Sequence, residues 1–292
     1  VFIPVHTITP KDSVTQLVDK GWRGSMVDAY DAQAGALSGS LDFDGDVFPD
    51  SIGYMLAGIM GDLVETGSAA PYTHKFALLN SGNGQPVSQT ITDFYSAGTR
   101  AYAGAMYTEL DFKLSPDALL TYSAKTLTYG SATATQPTPA FGALAPLAAW
   151  RAAITIGGTV NSEVTDAELN IKRQVTIIKA VNNSQQPYAI WAGPVAVEGK
   201  ATLIMEDDTY LTQYLTAAKS TLELNLAVDA NTSLDFKMSK VSWTSADITR
   251  GKDYIELPIA FKAYANTTDI GASAGYGPLV VTLKNGIASG LY

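Results

Sequence analysis

Apolar positions in this chain follow two rhythms. Over much of residues 37–129 they alternate with polar ones, the period of a strand with one buried face. LSGSLDFDGDV, THKFALLN, QPVSQTITDFY, RAYAGAMYTELDFKL and ALLTYSAKTLTYG all read as strands, and SGNGQP as a turn. One stretch breaks the alternation. In SIGYMLAGIMGD, Ile52, Met55, Leu56, Ile59 and Met60 recur at i, i+3, i+4, i+7 and i+8, one apolar face of a short helix. Asp50 can cap that helix and Gly61 can end it. Beyond residue 146 the alternation returns in AWRAAITIGG, DAELNIKRQVTII, PYAIWAG, STLELNLAV, SLDFKMSKVSWTS, DYIELPIAFKAYA and GPLVVTLKN. A second helix is expected in MEDDTYLTQYLTAA, with Asp208 as cap and Leu211, Tyr214, Leu215 and Ala218 on one face. The pattern predicts a mainly β protein, a sandwich or barrel with flanking short helices.

The remaining segments set the organisation. Residues 1–36 read as an extended N-terminal arm with one short helix, Thr9 capping it, Pro10 in its first position, and Gly21 stopping it just before Trp22. Residues 130–146, GSATATQPTPAFGALAP, combine small residues with prolines and read as a linker or exposed loop. Two similar units flank it, 37–129 and 147–292. LSGSLDFDGDVFPDSIGYMLAGIMG and VEGKATLIMEDDTYLTQYLTAA both run strand, acidic break, helix, which raises an internal duplication. Any fold of strands and helices can also produce two such corners.

Composition narrows the class. At 292 residues with 46% apolar and 16% charged side chains, the chain can bury a sizeable core and is not compositionally disordered. It has no cysteine, so disulfides and thiolate metal sites are excluded. No apolar run reaches the roughly 18 residues of a membrane-spanning helix. The opening VFIPVHTITP lacks the basic-then-apolar layout of a signal peptide, and its start at Val1 rather than Met reads as trimmed or as following a disordered end. Net charge is −9, with −7 in residues 1–146 and −2 in residues 147–292. A protein that grips phosphate shows the opposite sign, because its affinity comes from Lys and Arg displacing counterions.

Each motif that could carry chemistry has a plainer reading. Asp42, Asp44 and Asp46 have the spacing that opens an EF-hand loop, but Val47 and Gly53 stand where that loop needs Gly and Glu. They read as a solvated strand end. Gly271-Ala-Ser-Ala-Gly275 matches a nucleophile elbow, yet a proline and a strand follow it, and the two histidines, His6 and His74, lie far upstream. His74 reads as a structural side chain, and Asp207-Asp208 as a helix start rather than a glycosidase pair. No Gly-Lys-Ser/Thr loop is present. Tyr95, Tyr102, Tyr107, Tyr122 and Tyr129 read as core and interface positions of strands. No enzymatic activity, metal or cofactor is expected.

The succession GSLDFDGDVFPDSIGYMLAGIMGD, YTHKFALLN, DAELNIKRQVTIIKAVNNSQQPYAI, VEGKATLIMEDDTYLTQYL, KVSWTSADITRGKDYIELPIAFKAYAN and GPLVVTLKNG resembles the tail tube (major tail) proteins of long-tailed, siphovirus-like bacteriophages. The likeness runs from about residue 37 to 286 and rests on three features. These are the Pro-Asp-x-x-Gly-x-x-Leu helix entry, the His-x-Phe strand, and the late KVSWTS strand followed by a Gly-Lys-Asp turn. It implies a structural virion protein whose inner strands join those of its neighbours into one closed barrel, and whose rings stack into a hollow tube. Rings would be hexameric, or trimeric and pseudo-hexameric if each chain holds two units. Genomic DNA would pass through without specific binding, past an acidic or neutral lining. Expected partners are further copies of the chain, a tape-measure protein, and the tail terminator and tip proteins. Assembly in the host cytoplasm and residence in the virion follow. Phe2, Ile3, Trp22, Phe141 and Tyr292 are the expected inter-subunit contacts, with the arm and residues 130–146 reaching neighbouring rings.

Two other readings stay open at this point. A surface-exposed adhesin or capsid-decoration β-sandwich would also be acidic, Tyr-rich and non-catalytic. An esterase would use Ser273.

Overall fold

β-Branched and aromatic residues carry the alternation, and the computed structural model, which describes residues 1–251 and 253–292, turns it into sixteen strands. The first half holds β1 (Thr7–Asp19), β2 (Asp31–Asp46), helix α1 (Ile52–Met60), β3 (Gly61–Thr66) and β4 (Tyr72–Leu78). It continues with β5 (Gln89–Tyr95), β6 (Gly98–Leu114), β7 (Thr121–Thr128) and the short β8 (Ala132–Thr133). The second half holds β9 (Ala152–Ile156), β10 (Thr159–Asn161), β11 (Val164–Ile178), β12 (Ala189–Ile204) and helix α2 (Thr209–Leu215). It ends with β13 (Ser220–Ala227), β14 (Ser233–Ala246), β15 (Glu256–Ala263) and β16 (Val280–Asn285). No described helix is long and apolar enough to cross a membrane. The Gly-Lys-Asp turn includes Lys252, which lies outside the described residues.

All pairings are antiparallel, and β14 divides the sheet into two layers. Its later residues Val241–Ala246 pair with β15, which extends the long layer β1-β2-β7-β6-β11-β12-β15-β14. Its earlier residues Ser233–Lys237 pair with β16, which leads on to β4 and β3, while β13 and then β9 and β10 lie on its other side. One buried cluster fills the space between the layers. Leu41, Leu110, Phe112, Leu169, Ile171 and Phe261 come from the long layer and meet Phe76, Leu224, Phe236 and Val281. Helix α1 closes one end of this core with Ile52, Met55, Leu56, Ile59 and Met60, each at most 1% exposed. Gly61 ends it in a left-handed conformation (φ 86°), its N–H donating to the Ala57 carbonyl.

The two halves of the long layer share strand order and irregularities. The first runs β1-β2-β7-β6 with α1 after β2, and the second β11-β12-β15-β14 with α2 after β12. Between Val14 and Gln16 one residue of β1 opposes two of β2, Gly35 and Ala36. Between Arg173 and Val175 one residue of β11 opposes two of β12, Gly193 and Pro194. At both bulges a Cβ on the glycine would stand about 3 Å from a facing carbonyl oxygen, 2.9 Å from Thr15 O at Gly35 and 3.1 Å from Gln174 O at Gly193. Thr108 is the extra residue of β6 against β7, and Thr244 that of β14 against β15. Aligned on these bulges, a rung across the first four strands reads Pro10, Leu41, Thr126, Tyr107. The matching rung reads Leu169, Gly199, Phe261, Trp243.

Local signals erred in three places. The helix expected within residues 1–36 is strand β1, which pairs from Thr7↔Asp44 to Asp19↔Asp31. A thirteen-residue ladder with a distant partner outweighs a capping signal worth about 1 kcal/mol. Strand β2 therefore runs without a break through residue 36. Ser51, not Asp50, stands at the N-cap of α1, and the Asp50 carboxylate instead accepts the Leu144 N–H at 3.1 Å. At α2 the Asp208 side chain makes no capping bond; Asp207 accepts the Thr209 N–H at 2.8 Å, which holds its carboxyl below the usual range. Tyr210, Leu211 and Tyr214 form the packed face of α2, whereas Leu215 is exposed.

Candidate assembly surfaces

Strand alternation gives the long layer one face for the core and one for solvent. On β6, Leu110, Phe112 and Leu114 are buried while Glu109, Asp111 and Lys113 point outward. On β11, Leu169 and Ile171 are buried while Glu168, Asn170 and Lys172 point outward. The outward charges find one another across strands: Lys125 with Glu109, Lys113 with Glu168 at 3.6 Å, and Lys172 and Lys262 with Glu198 at 3.9 and 3.2 Å. The Asn170 amide donates to Asp111 at 2.7 Å. Partial burial raises the Asp111 carboxyl, a rise that this bond moderates. Hydrogen bonding and attraction to Glu109 raise the Lys125 ammonium. Most cations on this face thus already have a carboxylate, and few remain to hold a phosphate chain.

The layer ends in two open edges. β1 pairs only with β2 among the described residues. At the other end, the residues at and beyond the end of β14 bond β15 and its approach: Asp247 N–H donates to Pro258 O at 3.2 Å, and Thr249 and Glu256 exchange bonds of 2.8 and 3.0 Å. By alternation, Ala246, Ile248 and Arg250 turn their backbone groups away from β15, where no strand of the described residues covers them. Unpaired edges of this kind are templates for pairing with another chain.

The β1–β2 hairpin projects an apolar end. Leu17, Val18, Trp22, Met26 and Val27 are all exposed there, Trp22 by 73% and Met26 by 95%. Of the expected contact residues, Trp22 alone stands in this turn. Phe2 meets the rings of Phe94 and Phe141 of its own chain, each at 5.6 Å, and Phe141 remains 59% exposed. Ile3 packs against the core. Tyr292 lies over His74 at 4.7 Å, beside Tyr54 and Phe76, and accepts the Asn285 amide at 2.6 Å; burial raises its phenol. Sequence reasoning missed Leu17, Val18, Met26 and Val27, although apolar residues crowded around Gly21 and Gly24 were the available signal.

The other candidates are tied into turns and strand ends. Ser273 donates its hydroxyl to Asp62 at 2.6 Å and accepts the Asn80 N–H at 3.0 Å, and neither histidine bonds it. His74 is fully buried between Glu65 and the Ile287 carbonyl, 2.9 Å from each. His6 stands beside Asp44 and Asp46, and no metal-holding group of three acidic or His side chains occurs among the described residues. Tyr102, Tyr107 and Tyr122 are buried, whereas Tyr95 is exposed. A search of the curated proteins returns no match. The family model described as Phage tail tube protein matches residues 4–263, a span that runs from the start of β1 to the end of β15 and so takes in both halves of the long layer, and the chain belongs to that family.

Proposed function

We propose that this structural tail protein closes into rings, that the rings stack, and that DNA leaves the virion through the bore. The observation that carries this reading is the long layer itself, open at β1 and at the end of β14 and bearing a face of matched charges. Joining copies edge to edge removes both open edges. The charged face then lines the bore, with the second layer and both helices outside. Because most of its lysines are already paired, a passing polyanion meets a lining that holds it weakly, and the remaining repulsion is screened within about 8 Å.

Residues 37–129 and 147–292 are proposed as two copies of one unit joined by 130–146, with residues 1–36 supplying the first unit's outer strand and hairpin turn. The matched bulges support that reading. Six units per ring, as the family resemblance implies, then means three chains. The hairpin end around Trp22, together with Phe141, is positioned for contacts between subunits or between rings. A tape-measure protein in the bore, terminator and tip proteins at the ends, and assembly in the host cytoplasm complete the proposal. Negative-stain microscopy of the concentrated protein tests it. Annuli or tubes with three-fold end-on views are expected, true six-fold symmetry would remove the two-unit account, and a uniform population of lone globules would remove the tube.

A further inference from the structure

Each chain already contains one junction between its two halves. Inside the chain β6 pairs with β11 as Leu114↔Ala167, Lys113↔Glu168, Phe112↔Leu169, Asp111↔Asn170, Leu110↔Ile171 and Glu109↔Lys172. The bulges fix which residues correspond. Val14 takes the place of Arg173, so Ile8 to Ser13 correspond to Ala167 to Lys172. Thr244 takes the place of Thr108, so Ser245 to Arg250 correspond to Glu109 to Leu114.

Resting on the tube reading, we infer that the open edge at Ser245–Arg250 of one copy pairs antiparallel with β1 of the next, in the register Asp247↔Lys11, Ile248↔Pro10, Thr249↔Thr9 and Ser245↔Ser13.

Four observations converge on this register. The bulge alignment places Lys11 opposite Asp247, where the internal junction has Asn170 bonded to Asp111, and an ion pair replaces that hydrogen bond. Neither Lys11 nor Asp247 has an ion pair within the lone chain among the described residues. The neighbouring rungs bring Thr to Thr and Ser to Ser, with no like charges opposed. Backbone phase agrees as well, although Pro10 has no N–H and faces the open edge away from β2, so opposite Ile248 of the neighbour it only accepts and that rung carries one ladder bond instead of two. Ile8 and Asp12 share that side by alternation and would meet Arg250 and Ala246, whose own backbone groups also point outward.

The same step covers the exposed hairpin. The β11–β12 turn leans on the first half of the chain, where Gln185 accepts the Leu37 N–H at 2.8 Å and donates to Ala34 O at 3.1 Å. Carried over to the next copy, the β1–β2 turn leans on β12 and β15 of its neighbour and takes Trp22, Met26 and Val27 out of water. Arg173, which reaches the Ile59 carbonyl near the end of α1, gives way to Val14, and α2 presents the exposed Leu215 near its end. An apolar contact there replaces a cation on carbonyls.

The chain has no cysteine, so a designed pair reports directly. In assembled tubes of the Lys11→Cys/Asp247→Cys double variant, mild oxidation should give covalent oligomers on a non-reducing gel that collapse with reductant. These two residues form a close, non-hydrogen-bonded pair in the inferred register. The off-register pair Ser13→Cys/Thr249→Cys, about four residues or 14 Å apart along the strands, should stay monomeric. Charge reversal is the second arm. Lys11→Asp and Asp247→Lys should each lower tube yield about tenfold, and the double reversal should restore it. Tubes of normal yield without the cross-link, or single reversals that the double does not rescue, would overturn the register and leave the tube intact. Wild-type protein that forms no annuli would bring down the tube reading and this junction with it.

Discussion

Phe112 of β6 and Phe236 of β14 meet with ring centroids 4.8 Å apart, both fully buried, and so join the two layers at the centre of the core. Truncating either to Ala should cost about 3–5 kcal/mol, the lost transfer free energy plus that of a cavity in a packed core. The double variant should lose less than the sum by about 0.5–1.5 kcal/mol, the part that belongs to the ring pair. Urea unfolding of the dissociated subunit checks both figures.

Arg173 is a buried cation with no carboxylate partner among the described residues. Its guanidinium donates to the carbonyls of Ile59 at 2.6 Å, Gly84 at 2.8 Å and Gly193 at 3.1 Å, and burial lowers its affinity for its proton. Replacing it with Met keeps the stem and leaves three carbonyls unmet. A loss of about 3 kcal/mol is expected, with Lys restoring only part because it lacks the planar fork. Thermal melts of the three proteins decide it.

Asp235 stands on β14 with Oδ1 buried and unpartnered. Burial, with Glu223 adding to it, lifts its carboxyl to about 6 from an ordinary 3.8. The folded state therefore holds this proton more tightly than the unfolded chain. The resulting contribution to stability is complete below about pH 4 and is lost as pH rises through about 6. Asp235→Asn should raise stability at pH 8 by about 1 kcal/mol, a figure reduced for partial exposure, and should change little at pH 4. Denaturation at the two pH values measures the difference.

Trp22 and Met26 touch little in the lone chain, so replacing both with Ser should move the melting midpoint by no more than about 0.5 kcal/mol would. Tube yield should fall all the same. Sedimentation of polymerised against free protein separates the two effects.

In the proposed bore, the outward carboxylates would keep the lining from binding DNA. Glu109→Gln, Glu168→Gln and Glu198→Gln together free four lysines at a folding cost of about 1 kcal/mol or less for each surface pair. Tubes of this variant should retain short duplex DNA at 50 mM salt and release it at 200 mM. Wild-type tubes should retain little at either salt. A pull-down of labelled duplex reads the contrast.

Elements whose signal is local were legible in the sequence. The five apolar residues assigned to the face of α1 are the ones it buries, and Gly61 ends it as its position suggested. β1 was not legible, because what makes Thr7–Asp19 a strand is a partner that begins twelve residues further on, at Asp31. The division of β14 between two layers was equally hidden, since alternation fixes which face a residue takes but not which strand lies beside it. The likeness of the two strand-to-helix corners could be glimpsed in the paired acidic breaks, but the matching bulges at Gly35 and Gly193 leave no mark in the hydropathy pattern. The open edge beyond Ala246 had no sequence signal at all.

The bulges at Gly35, Gly193, Thr108 and Thr244 each bend the strand that carries them and add local twist. In a ring where every unit carries the same two bends, curvature is dealt out in equal doses. The calibre of the channel would then be set by covalent sequence within each unit, with no external gauge. Deleting Thr108 alone would flatten every second step, and the circle should open into a wider or unclosed arc.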